Sequence, residues 1–350
     1  MPVFSMDHDS FCLLRLSALG DLVQTLPVAL ALKRTWPNAN LSWIIGVQGR
    51  ELFAAVEDIE FIVFDKSAGI SSYMNLRRCM KDRNFDWLLH MQPTFRANLL
   101  APLIPARHKL GYDSKRSREG QTWVTNCRLN FNPRQHAQEN FLDFARHLGV
   151  TPVDEDWRLP ILPKALETVH NLLEAKRCKD YVVIHPAASD ASRNWLPHRY
   201  AELAQYLQSK DLKVVFTGGD FPLDRALVKE VITKAPGSID FSGKLGLQEL
   251  LALIKGARLL VAPDTGPVHM ADMLGVPVIG LYAVSNPHST GPWHQIGNVV
   301  NCYPEALVSF DRRSLDRVAF GARVRTTGVM NLIETDAVKE KVDSLLFIPK

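Results

Sequence analysis

Cysteine is scarce and scattered: Cys12, Cys79, Cys127, Cys178 and Cys302 are the five in 350 residues. The count is odd and no C-x-x-C occurs. That argues against a disulfide framework or a zinc site and fits a reducing cytoplasm. No apolar run approaches the roughly 20 residues a membrane span needs. Phe11–Leu19 is apolar but short, carries Arg15 and follows Asp7 and Asp9, so it makes a poor signal peptide. There is no G-x-G-x-x-G, which weighs against a dinucleotide-binding oxidoreductase. There is no Walker A motif either. Gly237–Lys244 has the wrong spacing and lacks Ser or Thr after Lys244. The histidines show no ligand spacing, so no metal site is expected. Internal repeats and low-complexity segments are absent too.

What is present is ordinary for a globular protein: 46% hydrophobic and 22% charged residues, with a formal net charge of +4. The length suggests two domains. The mild basicity suits an anionic substrate or a membrane surface and does not call for nucleic acid. Short apolar runs at Phe11–Leu16, Leu41–Gly46, Phe61–Asp65, Trp87–Met91 and Lys109–Tyr112 read as strands. Helical patterns lie between them, the first from Leu22 to Arg34, with Pro27 expected to bend or delay it. Thr151–Pro163 has three prolines, three acids and no period, and reads as a linker. Alternation resumes with strands at Tyr181–His185, Lys213–Thr217, Ile239–Ser242 and Leu259–Ala262. Helices are expected at Pro197–Ser209, Leu223–Lys234, Leu247–Lys255 and, last, Asn331–Leu346. Such alternation predicts two doubly wound α/β halves with a site at the carboxyl ends of the strands, in the cleft between the halves.

Four stretches can carry chemistry. In Leu259–Trp293, a strand runs into Asp264-Thr265-Gly266-Pro267, a capped helix start. Its free N–H groups and positive dipole end can hold an anion, and His269 in the first turn adds a donor. In Ser17–Asp21, Gly20 permits close approach, and Asp21 is either a helix-capping acid or a general base. His185–Ser189 opens into small residues that leave room for a diphosphate, and Arg193 can pair with phosphate oxygens. In Thr217-Gly218-Gly219-Asp220, the acid can accept ribose hydroxyls. A basic group in the first half (Arg96, Arg107, Lys109, Lys115, Arg116, Arg118) is either a solvated face or a recognition surface for an anion. Asp154-Glu155-Asp156 spells D-x-D but lies in the linker, where it reads as coincidence.

These motifs together resemble the ADP-heptose:lipopolysaccharide heptosyltransferases, glycosyltransferase family 9, of GT-B fold. The matching pieces are SALGDLVQTLPVALALK at Ser17–Lys33, HPAAS…RNW at His185–Trp195, GKLGLQELLALIKGARLLVAPDTGPVHMA at Gly243–Ala271 and LGVPVIGLY at Leu274–Tyr282. The resemblance implies two Rossmann-like domains facing a central cleft. Residues 1–155 would bind the acceptor and 156–328 the nucleotide sugar, with 329–350 a helix packing back on the first domain. It implies Asp21 as catalytic base. It places donor contacts at Ala187, Ala188, Ser189, Arg193, Asp264, Thr265, Gly266 and His269, with adenine near Lys244 and Leu245. The ribose acid falls to Asp220 or Asp224, because Pro222 stands at the expected position. Ser17, Gly20, Gln92, Arg96, Lys115, Arg116 and Arg118 would meet the acceptor, Arg118 within the loop GYDSKRSRE. Arg193 stands where the family usually has Lys, and Ala187 and Ala188 where it often has Thr. The implied reaction is inverting transfer of heptose from ADP-heptose to a Kdo or heptose of lipopolysaccharide, without a metal, at the cytoplasmic face of an anionic membrane. The competing readings are a GT-B epimerase or hydrolase and a non-catalytic nucleotide-sugar-binding protein.

Overall fold

The computed structural model of the chain describes residues 10–347. Asp7 and Asp9, which bear on the signal-peptide expectation, lie outside them. The chain divides into two units, Met1–Pro160 and Ile161–Lys350. The break falls inside the stretch read as a linker.

The first unit holds a six-stranded parallel sheet of β1 (Ser10–Leu14), β2 (Asn40–Gly46), β3 (Glu60–Phe64), β4 (Phe85–His90), β5 (Ala106–Gly111) and β6 (Cys127–Arg128), in the order β3-β2-β1-β4-β5-β6. The second holds β7 (Tyr181–Ile184), β8 (Lys213–Phe216), β9 (Ile239–Asp240), β10 (Leu259–Pro263), β11 (Val278–Tyr282) and β12 (Val300–Asn301). Its order, β9-β8-β7-β10-β11-β12, repeats the first and is again parallel. The central strands are buried on both faces: all five residues of β10 and of β11 are buried. This is why they read as unbroken apolar runs rather than alternating ones. In each sheet the winding reverses beside the first strand, between β1 and β4 and between β7 and β10. Loops leaving those strands part there, which opens a crevice for a ligand.

The first helix runs Leu19–Thr35 straight through Pro27. It starts earlier than expected and is not delayed. Its residues Leu22–Leu32 are all buried, so packing offsets the lost bond at Pro27, a defect of roughly 3 kcal/mol in an exposed helix. The Pro163–Ala175 helix follows the linker directly and was not anticipated. Its buried Ala165, Val169 and Leu173 form a stripe four residues apart. The Tyr303–Asp311 helix was also missed. The expected final helix splits into a 3-10 turn, Val329–Leu332, and a helix, Thr335–Leu346.

That helix packs on the core of its own unit. Its inward residues Val338 and Val342 are fully buried in the core of the second unit, and Asp343 accepts a hydrogen bond from Tyr206. Trp195 Nε1 donates to Ile333 O at 2.9 Å, fixing the approach to the helix. Its apolar face is thus used within its own unit.

The D-x-D sequence forms a 3-10 turn. Asp156, its side chain 3% exposed, accepts from Arg34 Nε and Nη2 at 3.1 Å each and from Val153 N at 2.9 Å. Asp156→Ala should lower stability by roughly 1–3 kcal/mol, the range for hydrogen bonds to a charged group. The exposed Asp154→Asn should stay within about 0.5 kcal/mol. Urea unfolding checks both. Equal loss of transfer activity in the two variants, with stability intact, would instead mark a functional acid pair.

Candidate active site

In the first unit, β1 ends at Leu14 and the chain turns through Arg15–Ala18 into the Leu19–Thr35 helix. Asp21 is the third residue of that helix. Its Oδ2 accepts from the Ala18 N–H at 3.3 Å and from Arg15 Nη2. The capping reading of Asp21 is the one these contacts show. The carboxylate reaches back to cap the helix, yet its side chain stays 38% exposed. Both bonds go to Oδ2, so Oδ1 is left for another partner. Arg15 was not singled out from sequence, although an arginine inside an apolar strand run was a signal. It is buried, donates from Nη1 to Met91 O at 2.6 Å and lies 5.1 Å over the Phe141 ring. Its Nε is buried without a partner.

β4 lies beside β1, so its outgoing loop meets the same turn. Gln92 Oε1 accepts from Leu16 N at 2.6 Å, and its Nε2 donates to Ser17 Oγ at 3.4 Å. Gly46, at the end of β2, donates to Leu16 O, and a Cβ there would stand 2.7 Å from that oxygen. The structure thus brings Ser17, Gly20, Asp21 and Gln92 together. Arg96 is exposed on the short helix Phe95–Leu100.

The loop after β5 divides the other expected acceptor residues. Arg116 is used within the loop. It pairs with Asp113, donates to Asn140 Oδ1 and to Asn130 O, and lies over the Tyr112 ring. All three guanidinium nitrogens are engaged, so Arg116 shapes the loop rather than facing outward as expected. Lys115 and Arg118 remain exposed, with Lys115 Nζ 4.4 Å from the Phe131 ring centre. The Arg118 backbone is held from below. Asn98 Nδ2 donates to the carbonyls of Arg118 and Glu119 at 3.1 and 2.7 Å. Asn98 Oδ1 lies 2.9 Å from His90 Nε2. Since the amide nitrogen is donating, Oδ1 accepts and His90 carries its proton on Nε2.

In the second unit, the neighbouring strands β7 and β10 deliver the loops 185–193 and 264–266. Arg193 Nη1 donates to Asp264 O at 2.6 Å and lies 3.3 Å from Asp264 Oδ2, while Nη2 donates to Ser189 Oγ at 3.0 Å. Both charged side chains are buried, 11% and 8% exposed. Ser285, after β11, donates to Asp264 Oδ2 at 2.7 Å; sequence reasoning missed it. Thr265 is the N-cap of the Gly266–Met273 helix, and its side chain makes no cap bond. His269 is buried in that helix. Ser189, Arg193, Asp264, Thr265, Gly266 and His269 thus gather at one helix start. The Ala188 N–H donates to Asn194 Oδ1 at 2.7 Å. Ala187 is buried beside it.

Asp220 and Lys244 lie further out, past β8 and β9. Asp220 pairs with Arg225, both largely exposed. Gly243, at φ +64°, lets that pair pass, since a Cβ would come within 2.7 Å of Arg225 Nε and 2.9 Å of Asp220 Oδ1. Lys244 Nζ donates to Asp240 O at 2.7 Å, and Leu245 follows, half-buried. Asp224 Oδ2 accepts from Gly219 N at 3.1 Å, so it caps its own loop. Among the described residues, no three His, Cys, Asp or Glu side chains gather as metal ligands.

Two doubly wound parallel units of the same strand order give the chain the GT-B class of α/β fold. Residues 73–315 match glycosyltransferase family 9 (heptosyltransferase). The chain is 32% identical to the lipopolysaccharide core heptosyltransferase OpsX of Haemophilus influenzae over 97% of each chain. A family 9 glycosyltransferase from Veillonella parvula superposes with a TM-score of 0.80 at 21% identity, covering 99% of both chains. E. coli heptosyltransferase WaaC with ADP gives 0.72 at 17%, covering 96% of this chain and 99% of WaaC. The chain belongs to glycosyltransferase family 9, the heptosyltransferase family.

One buried histidine underlies each gathering. His90 ends β4, and His185 follows β7 with Nδ1 2.9 Å from Thr217 Oγ1. Burial, the main cause, pushes both pKa values down to about 4. Unfolded, each would titrate near 6.5. The folded state therefore refuses protons that the unfolded state binds between about 6.5 and about 4. The contribution is full above that window and is lost as pH falls through it. Between pH 7 and pH 5 each histidine should remove about 2 kcal/mol of stability. Urea unfolding at the two pH values checks this, and His185→Gln should remove its share of the slope.

Proposed function

We propose that the chain moves a heptose from ADP-heptose to a Kdo or heptose of the lipopolysaccharide core, with inversion, and with Asp21 as general base. The observation that carries this reading is the Asp21 carboxylate. It is anchored through Oδ2 by Arg15 and Ala18, exposed, and set at the winding reversal of its sheet. Asp21 Oδ1 takes the proton from an acceptor hydroxyl. The freed oxygen attacks the anomeric carbon, and the bond from that carbon to the ADP oxygen breaks on the opposite face. ADP leaves with the electron pair. Negative charge grows on the diphosphate as it departs, and the Gly266–Met273 helix start meets it with its N–H groups, dipole and His269. Arg193 and Ser189 flank that helix start, and Arg193 Nε is a buried donor with no partner. The relatives support the substrates: OpsX is by name a lipopolysaccharide core heptosyltransferase, and WaaC was solved with ADP. Adenine is assigned to Lys244 and Leu245, and ribose to Asp220.

The acceptor is assigned to Ser17, Gly20 and Gln92 around Asp21, and to Arg96, Lys115 and Arg118 on the basic loops. Inner-core lipopolysaccharide carries carboxylates and phosphates, which these cations suit. Such an acceptor is membrane-anchored, so the enzyme is assigned to the cytoplasm at a membrane periphery. Among the described residues, no helix is long and apolar enough to cross a membrane.

The test is a transfer assay with ADP-heptose and truncated lipopolysaccharide acceptors, read by mass spectrometry. Asp21→Asn should lower turnover roughly 10²–10⁴-fold, the range for a lost general base, with ADP affinity nearly unchanged. Near-wild-type transfer would remove Asp21 from the mechanism. Free heptose and ADP made without acceptor would point to a hydrolase, and an epimerised donor to an epimerase.

Arg118→Ala should raise the acceptor KM and leave ADP binding alone, because Asn98 still holds the loop backbone. The effect should shrink with added salt, since exposed charges are screened over roughly 8–10 Å at physiological ionic strength. Equal acceptor kinetics at low salt would show that Arg118 only solvates its loop.

A further inference from the structure

The first unit displays large apolar side chains where solvent exposure is costly. Trp123 is 90% exposed, Phe95 63% and Leu99 47%. Trp123 sits on the single-turn helix Gln121–Val124, whose Gln121 is fully buried. Its ring lies against Gly120, where a Cβ would stand 3.0 Å from the ring edge. Gly120 therefore seats the indole on the surface without covering it. Phe95 and Leu99 are one turn apart on the outer side of the neighbouring Phe95–Leu100 helix, while Ala97, Asn98 and Leu100 face inward. The two short helices are tied together. The Glu119 carboxylate accepts from the Phe95 N–H, and Asn98 holds the carbonyls of Arg118 and Glu119. The three side chains are thus presented by one braced pair of helices.

Charge around them has one dominant sign. Arg96 stands between Phe95 and Leu99 in sequence, Lys115 and Arg118 are exposed on the adjoining loop, and Arg128 is exposed at the end of β6. Glu119 is the exposed acid among them, and it is spent on the Phe95 N–H. An exposed aromatic cluster among arginines suits the boundary of an anionic bilayer. Indole and phenyl rings settle at headgroup depth, and guanidinium groups meet lipid phosphates. A partner protein of matching shape would need a concave or flat apolar face; here the apolar groups project from two helix backs, interleaved with cations.

We propose that Trp123, Phe95 and Leu99, with Arg96, Lys115, Arg118 and Arg128, seat the chain on the surface of an anionic lipid bilayer. This deepens the membrane-periphery reading above and rests on it. The binding measurement uses the full chain with no donor or acceptor present, so the binding result does not depend on the assigned reaction. Binding is measured by co-sedimentation with vesicles of phosphatidylcholine and phosphatidylglycerol, and with vesicles of phosphatidylcholine alone. The wild-type chain should pellet with the anionic vesicles and not with the neutral ones. Trp123→Ser with Phe95→Ser should weaken that binding at least about tenfold, as expected for losing two interfacial anchors. The thermal midpoint and the transfer rate to a delipidated, water-soluble core acceptor should be kept. Unchanged vesicle binding in the double variant overturns the proposal, as does failure of the wild type to bind anionic vesicles. A fall in the rate on the soluble acceptor, with vesicle binding intact, also overturns it and makes the patch an acceptor contact.

Discussion

Parallel strands cannot be joined by a hairpin, and every other feature of the molecule follows from this. Each strand must be left at its carboxyl end and re-entered from the opposite edge, so a helix is interposed at every step. All loops that follow strands then fall on one edge of each sheet. Where the winding reverses, two of those loops part. In the first unit they are the loops after β1 and β4, which carry Arg15–Asp21 and Gln92. In the second they follow β7 and β10 and carry Ala187–Arg193 and Asp264–His269. Residues far apart in sequence become neighbours through strand order alone. Arg193 and Asp264 touch because β7 pairs with β10.

Loops gathered this way bring charge into partly buried ground, and charge there must be paired. The two units meet that demand differently. In the first, Arg15 is the buried partner and Asp21 the exposed one, so the carboxylate is held while one oxygen stays open. In the second, both Arg193 and Asp264 are buried, and Ser285 supplies a further bond to the acid. Such a pair repays its desolvation only while it is whole, and removing one member strands the other. An Arg193 truncation would therefore disturb the loop as well as any phosphate contact. The family's more usual lysine could not make the forked contact that Arg193 makes with Asp264 and Ser189.

Strand positions were legible because doubly buried strands are short apolar runs between turns. The Leu259–Tyr282 segment was legible nearly to the residue, since a strand, a Thr cap, an early proline and a closing glycine all agree. Residues whose meaning depends on a distant partner were not legible. Arg116 lies in the stretch Lys115-Arg116-Ser117-Arg118, which looks like a recognition loop, but Asp113, Asn130 and Asn140 absorb its guanidinium. Ser285 carries no local signal beyond its place after a strand. The apolar stripe of the last helix announces that something is covered, and the fold shows that Val338 and Val342 cover the core of their own unit.

The division of labour follows from what each end of each sheet offers. In the second unit the sheet edge leads into a helix start whose Thr265 side chain makes no cap bond. In the first unit the corresponding helix start is already occupied by its own acid, since Asp21 reaches back to Ala18. A second anion there would compete with that carboxylate for the same N–H groups. Identical strand order thus yields two different helix starts, and the difference lies in whether the first turn of the helix contains an aspartate.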